Sequence, residues 1–127
     1  QHYIAGQEIS IDCYALADGR LAACVPRKRL IVRDGECVAG EVIHAPELVA
    51  VAQALARTMR FRGVANIQVI TTAQGPQLID LNARFPGGIA ITETAGYPMI
   101  EWTVSELFGE AFDVSAASRI RSAAAET

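Results

Sequence analysis

At 127 residues, with 51% hydrophobic and a formal net charge of −3, the chain is one domain's worth of polypeptide and lacks the basic surplus that nucleic acid demands. Its apolar residues come in short broken runs, none near the roughly 20 residues of a membrane helix, and the first residues carry no secretory signal. Neither a nucleic-acid partner nor a membrane is therefore expected.

Glu8 to Ala17 alternates as a half-buried strand. Ile9, Ile11, Cys13 and Ala15 share one face, and Glu8, Ser10, Asp12 and Tyr14 the other. Asp18-Gly19 is a hairpin turn that returns the chain along Arg20 to Arg29. Leu30 to Val32 continues extended, and Asp34-Gly35 turns again into Glu36 to Ile43, completing an antiparallel meander. Arg27-Lys28-Arg29, with Arg33 nearby, is the basic cluster of this region. Such residues suit a solvated edge strand, where they discourage edge pairing, and equally suit a phosphate. Cys13, Cys24 and Cys37 are odd in number and form no Cys-x-x-Cys. They are expected as small apolar fillers in a reducing cytoplasm, not as a disulfide framework or zinc site.

Pro46 sits where a helix tolerates proline, at its first position. Leu48, Val51, Ala52, Leu55 and Met59 form one apolar stripe at helical spacing, so this helix is expected to lie on the sheet. Arg57, Arg60 and Arg62 crowd its C-terminal end, where cations suit the dipole, and Gly63 is expected to end it. His44, just before Pro46, reads as part of the approach to the helix and not as a base.

Two stretches then fold onto each other, Asn66 to Ile70 and Leu78 to Arg84. A three-residue loop centred on Gln74, with Gly75 at positive φ, pairs Thr72 with Pro76, Ile70 with Leu78 and Gln68 with Asp80. Strand alternation turns Asp80 and Asn82 the same way, and Gln68 faces Asp80 with Cβ atoms about 5 Å apart. Ile67, Val69, Ile79 and Leu81 turn to the opposite, apolar face. The polar face thus offers one carboxylate and two amide oxygens, with Arg84 at its end. Mg²⁺ takes oxygen ligands and is usually held by one or two carboxylates plus phosphate oxygens and water. The arginine fork suits phosphate or acyl phosphate. The same residues would also serve as the solvated face of an ordinary hairpin.

Gly87-Gly88 loosens the backbone beyond Arg84 and leaves N–H groups that suit an anion, or makes a plain turn. Ile89 to Ala95 is a short helix closed by Gly96. Pro98 opens another, with Ile100, Val104, Leu107 and Phe108 as its buried stripe and Trp102 off it.

The run Asp80-Leu81-Asn82-Ala83-Arg84-Phe85-Pro86-Gly87-Gly88, with Thr92-Glu93-Thr94-Ala95-Gly96-Tyr97-Pro98 after it and Gly63 to Gln68 before it, carries a family likeness. It resembles the C-terminal catalytic part of the ATP-grasp superfamily, nearest its carbamoyl-phosphate-synthetase-like branch. There a strand of the form Asn-x-Gln precedes Glu-x-Asn-x-Arg, a small-residue helix and an Ala-Gly-Tyr-Pro step. The likeness begins at Gln1, where Gln1 to Asp12 looks like the adenine hinge and the strand beyond it, and extends to about Leu107.

The resemblance implies an α+β fold, an antiparallel β-sheet flanked by helices, forming the C-terminal half of an ATP-grasp domain over 1–112. Residues 113–127 are a tail or the start of a further segment. It implies ATP with Mg²⁺ (or Mn²⁺) as cofactors. Gln68, Asp80 and Asn82 match the metal ligands, and Arg84 the arginine at the transferring phosphoryl group. Gln1 and His2 fall at the adenine hinge, Glu8 matches the acid on the ribose hydroxyls, and Lys28 lies where a basic group approaches the phosphates. Asp80 departs from the family's Glu by one methylene, which leaves open whether one or two metal ions are held. A glycine-rich phosphate loop and a lysine-bearing strand, which the family supplies upstream, are not in this sequence. The N-terminal part of the same enzyme is therefore an expected partner, and the fragment is expected to be inactive alone.

The implied activity is that of an ATP-dependent ligase. A small-molecule carboxylate, or bicarbonate, becomes an acyl phosphate, which an amine or similar nucleophile then attacks. An ATP-grasp-derived assembly module and an ATP-grasp kinase are the alternatives, and a homodimer stays open.

Overall fold

The computed structural model describes residues 1–115. Along them run β1 (Gln7–Ala15), β2 (Leu21–Arg33), β3 (Glu36–Val42), α1 (Pro46–Met59), β4 (Gly63–Thr72), β5 (Gly75–Asn82), α2 (Ile89–Thr94) and α3 (Met99–Leu107). The strands form one antiparallel sheet in the order β3-β2-β1-β4-β5, the expected α+β arrangement. β1 is central because both of its edges are paired. Its alternating sequence has apolar cover on one side and mixed cover on the other, so nearly all of it is buried.

The two faces carry separate cores. Ile9, Ile11, Cys13, Ala15, Ile67 and Val69 pack against Leu48, Ala52 and Ala56 of α1. Across the sheet, Tyr14, Ala23, Val25 and Val64 pack against Tyr97, Met99 and Trp102, the last two on α3. Cys13 and Cys24 face each other across β1 and β2 with Sγ atoms 3.9 Å apart, as free buried thiols. Burial and that contact push the Cys13 thiol well above its usual range, the hydrogen bond with Cys24 contributing most.

Several local expectations shift. α1 stops at Met59, with Arg60 in the left-handed region (φ 55°) donating its N–H to Ala56 O at 3.0 Å. Gly63 opens β4 instead of ending the helix. Met59, expected in the apolar stripe, is exposed, while Ala56 takes its place in the core.

The correction at α3 is larger. Ile100, Val104, Leu107 and Phe108 are exposed, Leu107 at 79% and Phe108 at 77%, whereas Met99, Trp102 and Ser105 are buried. Helical spacing permits either stripe, and the aromatic receptacle decides between them. Trp102 stacks on Phe112 at 6.3 Å and meets Tyr14 edge-on at 5.3 Å.

Arg27-Lys28-Arg29 also lie elsewhere than on an edge. They belong to β2, which is flanked on both sides, and Arg27 is 1% exposed. The segment expected at 113–127 falls outside the described residues beyond 115. Within them, Val114 packs with Phe112 against the second core. Among the described residues no helix is long and apolar enough to cross a membrane.

Candidate functional site

Opposite α1, the sheet shows a polar surface laid out in rows by strand register. Arg27, Ser10, Gln68 and Asp80 are successive cross-strand partners from β2 to β5. The next row runs Val25, Asp12, Asn66, Asn82. Neighbouring strands are about 4.8 Å apart, so each row brings residues distant in sequence within side-chain reach.

The pairing of Gln68 with Asp80 stands as expected, by a different route. The loop holds two residues, Ala73 and Gln74, and Thr72 pairs with Gly75. Thr72 Oγ1 accepts from Gln74 N at 3.2 Å and donates to Gly75 O at 2.8 Å, while Gly75 takes φ 106°. That tighter loop alone would shift the register. A bulge restores it: Val69 pairs with Leu78 and Gln68 with Asp80, leaving Ile79 as the extra residue.

Asp80 and Asn82 are in contact. Asp80 Oδ2 accepts from Asn82 Nδ2 at 2.9 Å, and Oδ1 accepts the Leu81 N–H at 2.9 Å. Gln68 is half-buried beside them, and none of the three lies in the apolar core. Among the described residues no three His, Cys, Asp or Glu side chains gather. The donor set is therefore one carboxylate with neutral oxygens. That set fits a divalent ion which brings phosphate and water ligands with it, and is poor for a bare ion.

Arg84 is exposed and donates only to Phe85 O, at 3.1 Å, with no ion pair among the described residues. It borders a hollow of about 80 Å³ together with Arg27, Arg29, Asn66, Gln68 and Gly88.

Beneath this surface lies a network that sequence reasoning missed. Asp12 is fully buried and accepts from Arg27 Nε at 2.9 Å, Asn66 Nδ2 at 2.7 Å and Thr92 Oγ1 at 2.5 Å. Arg27 Nη2 adds a longer contact of 3.4 Å, while Nη1 is buried without an acceptor. Three strands and α2 meet at one carboxylate, which ties the segment after Arg84 to the sheet. Alternation did place Asp12 on this face, but only the pairing of β1 with β2 and β4 shows what meets it.

The remaining expected residues are scattered. Gln1 donates Nε2 to Ile79 O at 3.3 Å, which tethers the N-terminus to the bulge of β5. His2 is exposed. Glu8 is ion-paired with Arg29, whose Nη2 also donates to Gly35 O at 2.9 Å. Lys28 is the cross-strand partner of Ile9, so it leaves β2 on the side opposite Arg27 and Arg29.

A larger opening, of about 680 Å³, lies by the Asp18-Gly19 turn and the end of α1. Two of its four arginines have partners among the described residues: Arg62 donates to Ala17 O, Arg60 O and Phe61 O, and Arg20 pairs with Asp18. It shares no residue with the polar rows.

The family model described as "ATP-grasp in the biosynthetic pathway with Ter operon" matches residues 1–126. The chain belongs to the ATP-grasp family. Solved structures share its fold. Biotin carboxylase from Campylobacter jejuni, in complex with beta-gamma-ATP, superposes with a TM-score of 0.71 at 15% identity, over 89% of this chain and 28% of that one. D-alanine–D-alanine ligase from Bacillus anthracis gives a TM-score of 0.54 at 16% identity, over 80% of this chain and 39% of that one. This ATP-grasp chain thus spans well under half the length of either neighbour. No curated protein sequence matches it.

Proposed function

We propose that this ATP-grasp chain is the part of an ATP-dependent ligase that holds the triphosphate and activates a carboxylate, or bicarbonate, as an acyl phosphate. The observation that carries the reading is the row ending in Gln68 and Asp80, with Asn82 against Asp80 and Arg84 nearby without an ion pair among the described residues. Magnesium or manganese bound there would neutralise phosphate charge. Gln68, Asp80 and Asn82 would supply its protein ligands. With Asp80 already hydrogen-bonded to Asn82 and the Leu81 N–H, its carboxylate is oriented before any ligand arrives.

In the first step a carboxylate oxygen bonds to the γ-phosphorus and the bond from that phosphorus to the β,γ-bridging oxygen breaks, so ADP departs. The Arg84 guanidinium meets charge spreading over the transferred oxygens, which is electrostatic catalysis with little covalent work for the protein. In the second step the amine bonds to the acyl carbon, phosphate leaves with the electron pair of the C–O bond, and the amine's proton passes to solvent. Glu8, exposed despite its pairing with Arg29, would accept from the ribose hydroxyls, and Gln1 and His2 would border the adenine. Lys28 leaves β2 on the face opposite the polar rows, so a phosphate held over those rows is left to Arg84. The rest of the nucleotide cleft would come from other parts of a longer enzyme.

The test is ADP and phosphate release by the full-length protein with a panel of carboxylates and amines. Asn82→Ala and Arg84→Ala are expected to lose turnover by about 10²-fold or more while staying folded. Unchanged turnover in both variants would overturn the reading, and a stable phosphate ester with ADP would identify a kinase.

A further inference from the structure

Arg20, Arg57, Arg60 and Arg62 converge on the opening of about 680 Å³ between the Asp18-Gly19 turn and the end of α1. Asp18 is the one carboxylate in its lining, and Arg20 Nε takes it at 2.7 Å. The side chains of Arg57 and Arg60 have no hydrogen-bond or ion-pair partner among the described residues. A chain whose formal net charge is −3 thus gathers positive charge in one recess. The C-terminal end of a helix favours cations, but its partial charge of about half a unit cannot offset Arg57, Arg60 and Arg62 together.

The backbone around this recess is set to hold the cations in place. Arg60 stands in the left-handed region at φ 55°, a conformation that helix ends ordinarily give to glycine and that strains other residues. Arg62 straps the β1–β2 turn to the end of α1. Its Nε donates to Ala17 O at 3.1 Å, and its Nη1 to Phe61 O at 2.9 Å and Arg60 O at 3.2 Å. The strap leaves Nη2 without an acceptor among the described residues. Gly19, at φ 92°, lies against that nitrogen, since a Cβ built there would come to 3.3 Å from it. The volume falls within the about 300–1,000 Å³ of small-molecule sites. The recess lies on the α1 side of the sheet and shares no residue with the polar rows.

We infer that this recess is a second ligand site, for a small polyanion that presents two or more phosphate or carboxylate groups. Arg57 and Arg60, three residues apart at the end of α1, meet one group through charge-assisted hydrogen bonds, and the fixed Arg62 meets another. A single oxyanion would leave part of this charge unmatched, so the ligand is multiply charged. The site stands apart from the triphosphate surface, and its occupancy does not depend on the ligase reading.

Calorimetric titration of the full-length protein with pyrophosphate, with citrate and with acetate tests it. Pyrophosphate or citrate is expected to bind at least tenfold tighter than acetate, and the tighter of the two tells phosphate from carboxylate chemistry. Arg57→Gln combined with Arg60→Gln changes two exposed side chains. It is expected to weaken that polyanion at least tenfold while ADP release in its absence changes less than twofold. Arg60→Gly separates binding from backbone strain. Glycine takes φ 55° freely, so this variant is expected to keep or raise the Tm and still lose affinity at least tenfold. The site is overturned if the wild type takes neither polyanion, if acetate binds as tightly, or if Arg60→Gly binds like the wild type. An equal loss of binding in Arg84→Ala would put the anion on the polar rows and overturn it too.

Discussion

Asp12 and Asp80 carry the same functional group on the same face of the sheet, and their surroundings give them opposite work. Asp12 is fully buried, with its oxygens shared among Arg27, Asn66 and Thr92. Removing one partner of a buried ion pair strands the other, so Asp12→Ala is expected to cost about 3–5 kcal/mol in urea unfolding. Asp80 is exposed, and Asp80→Ala is expected to stay within about 0.5 kcal/mol of the parent in the same assay while magnesium-ATP binding is lost. Equal destabilisation by the two would contradict this division. Cys13 adds a pH effect. Its folded thiol titrates well above the ordinary 9.0, so the unfolded chain loses that proton first. The associated stability is intact below 9.0 and is lost as the pH climbs from there toward the raised folded value. Cys13→Ala is expected to flatten the alkaline limb of a stability-against-pH curve, and an unchanged limb would assign it to other groups.

At the scale of elements, the β4–β5 hairpin and α3 teach different lessons. The hairpin's polar face was legible because alternation and turn chemistry are local, and the Gln68–Asp80 pairing stands. The bulge at Ile79 was not legible, since a bulge and a shorter loop leave the same register as a longer loop without one. Deleting Ile79 removes the extra residue and is expected to keep Asp80 opposite Gln68 and Leu81 opposite Ile67, so magnesium-ATP binding is retained; lost binding would show that the bulge itself aims the carboxylate. In α3, both 99-102-105 and 100-104-107-108 satisfy helical spacing, and only the Tyr14–Phe112 receptacle selects the stripe that carries Trp102. Trp102→Ala is expected to cost about 3–5 kcal/mol, and Leu107→Ser at most about 0.5 kcal/mol, by thermal or urea unfolding. A reversed order would restore the stripe expected from the sequence.

For the molecule as a whole, β1 at the centre of the sheet holds two unlike cores apart and carries Ser10 and Asp12 into the polar rows that end on β5. One carboxylate and two amides bind a bare divalent ion weakly, because most of its ligands must come from phosphate and water. Titration of the full-length protein with Mg²⁺ alone is expected to give little heat, and Mg²⁺ with ATP a saturable signal; tight binding of the free ion would refute the shared-ligand arrangement.

By itself the sequence determined the kinds and order of the elements, the family and the carboxylate–amide face, since strand period, turn residues and motif spacing act over a few neighbouring positions. Tertiary structure alone decided the burial of Arg27 on Asp12, the strip of α3 that is covered and the side of β2 that Lys28 takes. Each of those depends on which distant segment lies alongside, and a burial or an ion pair has no energy until that partner is in place.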